Sequence, residues 1–165
     1  YSEAIEYLYS ANRFCLSTYG EDVSTLHYLS WAFLPQRVAQ IRDLRIWWKL
    51  DEASFELTSI SSIDYMTAAR RAWCENWDAL SRLTGLRRLR VDLHSQFRPG
   101  DGFYESYWKD TGEHLSEAIK SVTIPQDFVV ILPNRTCNID IDLGDSKCVL
   151  KLPEDPRHTT MPRLT

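Results

Sequence analysis

The hydrophobic period changes abruptly around Gly85. Upstream, apolar residues fall at Met66, Ala69, Trp73, Trp77, Leu80 and Leu83. Those steps of three and four place them on one side of a helix. Ser61 or Ser62 can cap its start, and Asp64 suits the positive end of the helix dipole. Gly85 stands where a C-terminal cap needs a left-handed backbone. Downstream the period is two: Leu89, Val91 and Leu93 point one way, and Arg88, Arg90 and Asp92 the other.

The same order of elements occurs twice before. Pro35–Ile41 predicts a short helix with Pro35 in its first turn. A strand, Leu44–Leu50, follows: Leu44, Ile46, Trp48 and Leu50 share one face, and Arg45, Trp47 and Lys49 the other. Earlier still, the amphipathic helix Glu3–Ser10 turns Ala4, Ile5, Leu8 and Tyr9 inward. The strand Arg13–Leu16 follows it, with Phe14 and Leu16 inward. Asp22–Phe33 reads as a further helix, and Glu105–Val122 as another.

Three helix-to-strand units running one way imply parallel strands joined by crossovers. Strands covered on both faces are almost continuously apolar, whereas these alternate. The pattern therefore predicts an α/β fold: an irregular leucine-rich-repeat-like arc with helices mainly on one face. The spacing from Leu44 to Leu89 is far longer than the roughly 20–29 residues of a regular repeat. Phe128–Leu132 reads as a buried strand. Cys137–Leu143 and Lys147–Leu152 alternate around Gly144-Asp145, which predicts a closing antiparallel hairpin. Residues 1–152 are expected to form a single domain and 153–165 a loose tail.

Composition narrows the class. The chain has 165 residues, of which 44% are hydrophobic and 12% aromatic, enough for a proper core. Its net charge is −4, so no general attraction to nucleic acid follows. No apolar run is long enough for a membrane helix, and no signal-peptide pattern is present. The chain begins at Tyr1, already inside a predicted helix, and reads as an N-terminally truncated fragment of a longer protein. Cys15, Cys74, Cys137 and Cys148 show no C-x-x-C spacing. They read as buried, reduced thiols of an intracellular protein, cytoplasmic or nuclear, with Cys137 and Cys148 the pair best placed to bridge.

Tyr1, Ser2, Glu3, Ala4, Ile5, Leu8, Tyr9, Ser10, Asn12 and Phe14 spell Y-S-E-A-I-x-x-L-Y-S-x-N-x-F. With Leu34-Pro35-Gln36-Arg37 and Ile41-Arg42-Asp43-Leu44-Arg45-Ile46, this opening resembles a fungal domain-of-unknown-function family, number seven-seven-three-zero. Proteins of that kind often carry an F-box-like segment upstream. The resemblance implies no activity, no cofactor and no catalytic residues.

The candidate chemistry is sparse. Arg45, Trp47 and Lys49 on one strand, with Arg88 and Arg90 on another, would set an aromatic among cations on an open sheet face. That favours an acidic or planar partner. Like charges so close repel, which a partner would relieve. The plainer alternative is a solvated face whose long side chains cover the sheet. Asn138, Asp140 and Asp142 share one side of a predicted strand and could help hold a divalent ion, although a charged edge strand explains them as well. His27, His94, His114 and His158 lack ligand spacing, so no metal site is expected. No G-x-S-x-G, P-loop or G-x-G-x-x-G occurs. Most of the six Trp fall on inward faces; Trp47 is the exception.

These features predict a non-enzymatic protein-protein interaction domain, a recruiting piece of an F-box-like adaptor, whose partner is another protein. A metal-dependent enzyme using Asn138–Asp142 and a purely structural domain are the alternatives.

Overall fold

The computed structural model describes residues 2–18, 26, 34–50, 62–95 and 116–154. The predicted helix Asp22–Phe33, apart from Leu26, lies outside them, as do the first part of Glu105–Val122 and nearly all of the tail. Five strands form one sheet in chain order: β1 (Arg13–Thr18), β2 (Asp43–Leu50), β3 (Arg88–Ser95), β4 (Asp127–Ile131) and β5 (Cys148–Lys151). Every neighbouring pair is parallel. The described helices are α1 (Ser2–Ala11), α2 (Pro35–Val38) and α3 (Ser62–Ser81), and residues 116–120 are also helical.

The alternation read from the sequence is the burial pattern of the sheet. Leu44, Ile46, Trp48 and Leu50 of β2 are buried, and so are Leu89, Val91 and Leu93 of β3. Their register partners on β4, Phe128 and Val130, complete two apolar rows across the sheet. Onto these rows α3 lays Trp73, Trp77 and Leu80, all buried. Trp48 stands 4.7 Å from Trp73 and 5.8 Å from Trp77 between ring centroids, and Trp77 reaches Phe128 at 6.1 Å. These rings lock helix to sheet by offset and edge contacts. The opposite side of α3 is polar, carrying Arg71–Glu75 and Arg82–Asp78 pairs one turn apart.

Successive strands begin alike. The Arg42 carbonyl accepts from the Arg87 and Arg88 amides, both at 2.9 Å. The Arg87 carbonyl in turn accepts from Gln126 at 2.9 Å and Asp127 at 3.0 Å. The starts of β3 and β4 are thereby fixed to the strand before them.

Three expectations need correction. The closing antiparallel hairpin is not formed, because β5 pairs parallel with β4 and Cys137–Leu143 is not a strand. Side chains fold that segment into turns instead. Asn138 Oδ1 accepts from the Asp140 amide and Asp142 Oδ1 from the Gly144 amide, both at 2.9 Å. Cys137 and Leu143 reach the core while Ile139 stays exposed, and the segment is the crossover that leads from the end of β4 to the start of β5 beside Phe128. The Gly144 turn itself is real, with φ of 57°.

Gly85 has no left-handed backbone. Its glycine is required by close approach: a Cβ there would stand 1.9 Å from the Ala39 carbonyl oxygen and 2.7 Å from Arg42 Nη1. Leu8 of α1 is exposed at 54% and does not point inward. Tyr9 takes the inward role and stacks on Phe14 at 5.5 Å.

Candidate functional site

On the sheet face opposite α3, the register brings the predicted binding residues together. Arg45 lies directly across from Arg90, Trp47 from Asp92, Lys49 from His94, and Asp43 from Arg88. The Arg45 guanidinium carbon sits 4.5 Å above the Trp47 ring centroid, within cation–π range. Trp47 and Lys49 are half-buried, and Arg88 is exposed.

A buried carboxylate organises this cluster. The Asp92 side chain is only 1% exposed, although it belongs to the polar face. Arg45 Nε donates to its Oδ2 at 2.9 Å. Arg90 grips it with two nitrogens: Nε lies 3.1 Å from each oxygen and Nη2 lies 2.9 Å from Oδ1. Burial alone would push the Asp92 pKa up. The hydrogen bonds from Arg90 and Arg45, with their charges, outweigh it and hold the carboxyl below its ordinary value. The hydrogen bond to Asp92 correspondingly raises Arg90, against the cost of its own burial.

A second acid repeats the device at the strand starts. Asp43 is buried, and its Oδ2 accepts from Arg13 Nε at 3.1 Å and Arg88 Nη2 at 2.9 Å. The cationic face is therefore neutralised in part from within. The repulsion read from the sequence is answered by Asp43 and Asp92, and the fold alone accounts for the clustering. Sequence reasoning placed Asp92 on the outer face but missed its burial, and it assigned no role to Asp43 or Arg13. Register supplies the missing signal, since it sets two arginines opposite each other with an acid two residues further along β3.

The arrangement suits recognition. A guanidinium has five N–H donors, so one carboxylate does not exhaust it. Arg45 is held at one edge by Asp92 and at its face by Trp47, so its position is set before any partner arrives.

The other candidates lie elsewhere. Asn138, Asp140 and Asp142 sit in the β4–β5 crossover, with Asn138 and Asp142 engaged as turn acceptors. Among the described residues no group of three or more His, Cys, Asp or Glu side chains is arranged to hold a metal ion. His94 is buried on the outer face; His27, His114 and His158 lie outside the described residues. All four cysteines are free. Cys15 and Cys74 are exposed, contrary to the expectation of buried thiols. Burial pushes Cys137 up to about 11 and Cys148 up to about 12, which keeps both as protonated thiols at neutral pH. No described helix is long and apolar enough to cross a membrane.

Residues 1–153 match the family model described as Domain of unknown function (DUF7730). The chain belongs to this family. No curated protein and no solved structure matches it. The match runs from α1 through β5, so this DUF7730 chain carries the whole described sheet, and with it the Asp92 cluster, inside the family region.

Proposed function

We propose that this DUF7730 chain is a non-enzymatic protein-interaction domain, with the outer sheet face as its binding surface. Trp47 is the anchor, and Arg45, Lys49, Arg88 and Arg90 are its charged surround. The observation that carries this reading is the Arg45–Trp47 stack pinned by Asp92: an aromatic ring and a guanidinium, partly accessible, held rigid at the centre of a cationic face. Pre-ordered aromatic and arginine side chains are what interface centres favour. A short acidic protein segment fits the local charge of this face, and the net charge of −4 gives no general attraction to nucleic acid. The recruiting arm of a larger intracellular adaptor is the role we assign it.

The test is affinity capture with the full-length protein and with a Trp47→Ala, Arg88→Gln double variant. Glutamine is chosen because a glutamate at 88 would confront Asp43. The double variant should lose the partners that the wild type retains while staying folded, its melting temperature lowered only by the loss of the Arg88–Asp43 pair, with Arg13 still on Asp43. Unchanged partners would overturn the assignment of this face.

A further inference from the structure

We propose that the outer edge of β1 accepts an added parallel strand from a partner polypeptide, reading acidic–apolar–any–apolar. The inference goes beyond the outer-face reading and rests on different residues.

It comes from the starts of the strands. In register, β1 begins Arg13-Phe14, β2 Asp43-Leu44, β3 Arg88-Leu89 and β4 Asp127-Phe128. Lys147 immediately precedes Cys148, the partner of Phe128, so β5 continues the series. The first position thus alternates base, acid, base, acid, base across the sheet. Where side chains meet, the alternation is used: Asp43 bridges Arg13 and Arg88. Opposite charges directly across a strand pair stabilise it, and like charges do the reverse.

Among the described residues the series ends at β1, which lies at one end of the strand order, and its side chains are incompletely covered on both faces. Arg13 keeps 56% of its side chain exposed, whereas Asp43 beside it is buried. On the helix side Phe14 and Leu16 are only partly buried, while Leu44 and Ile46 in the same rows are fully so. Tyr7 and Leu8 of α1 also stand exposed.

The next strand in the series would therefore place an acid opposite Arg13 and apolar residues opposite Phe14 and Leu16. It is drawn parallel, the direction of every described pair in the sheet, so that its first position lines up with theirs. A second copy added parallel and in register at this edge would set Arg13 against Arg13, so that mode of self-association is disfavoured. Strand addition of this kind draws affinity from main-chain hydrogen bonds and selectivity from alternate side chains.

The probe is a dye-labelled peptide reading serine–aspartate–leucine–threonine–valine–threonine, with a lysine-for-aspartate version as its counterpart. Fluorescence anisotropy should show the aspartate peptide binding the wild type. Arg13→Gln, which sets no second carboxylate against Asp43, should weaken it roughly fivefold, and the lysine peptide should bind this variant better than it binds the wild type. Hydrogen exchange on the unmutated protein should show new protection at β1 amides when the peptide is added, independently of how the variant folds. Several results would overturn the proposal: no binding, equal binding of both peptides, β1 amides already protected before addition, protection at β5 alone, or a wild-type dimer sealed through β1. Trp47→Ala leaves in place Arg13, Phe14 and Leu16 and their register partners Asp43, Leu44 and Ile46, so failure here and failure of the outer-face reading are separable.

Discussion

Asp92 shows how one side chain can decide the character of a face. Ionised, it joins two arginines and orients one of them over Trp47; protonated, it would leave both guanidiniums without their anion. Its folded pKa lies below the ordinary value of 3.8. The stability it contributes is therefore complete above the usual carboxylate range and is lost as pH falls through the lowered folded value. Melting temperatures followed from about pH 5 down to about pH 2 should fall for the wild type and fall less steeply for Asp92→Asn. At neutral pH that variant should be less stable by about 1–3 kcal/mol, since a buried charged hydrogen-bond network is broken. Parallel pH profiles would show that the carboxylate is not ionised by its neighbours. The sequence alone could place Asp92 on the polar side of β3, because alternation is local. It could not bury the residue, because that depends on which strand lies alongside and in which register.

At the scale of elements, legibility followed period length. β2, β3 and α3 each repeat their pattern several times, and each stands where the pattern put it. The closing segment misled because Cys137, Ile139, Ile141 and Leu143 alternate without forming a strand. Turns closed by Asn138 and Asp142 set those positions instead, and turn chemistry and strand alternation look alike over so short a stretch. Gly85 was recognised as a breakpoint for the wrong reason. Since a Cβ would meet the Ala39 carbonyl at 1.9 Å, Gly85→Ala should destabilise by about 1–3 kcal/mol or more through overpacking. A left-handed glycine in an open turn would have left room for the methyl, so a melting midpoint within error of wild type would refute the crowding. Trp77 is fully buried against Trp48, Trp73 and Phe128. Trp77→Ala should cost about 3–5 kcal/mol by opening a large cavity between helix and sheet. Chemical denaturation measures this directly; a loss below 1 kcal/mol, within about the range of surface substitutions, would remove Trp77 from the core.

For the whole molecule, the sheet separates two tasks. The helix side is a tryptophan-rich core that holds the strands in register. The outer side carries paired charges that the register brings together, and no catalytic constellation was needed to account for them. The one-way order of the strands was visible in the repeated helix-to-strand units. The parallel docking of β5 was not, since it depends on a non-helical crossover whose composition resembles a hairpin. Binding through the outer face, as proposed for this DUF7730 chain, is read from the affinity of a captured partner for three proteins: wild type, Trp47→Ala, and Arg71→Ala as a control on the opposite side. Trp47→Ala should lose about 2 kcal/mol or more, roughly thirtyfold in Kd, and Arg71→Ala should lose none. Undiminished binding by Trp47→Ala, or a loss confined to Arg71→Ala, would contradict the proposal.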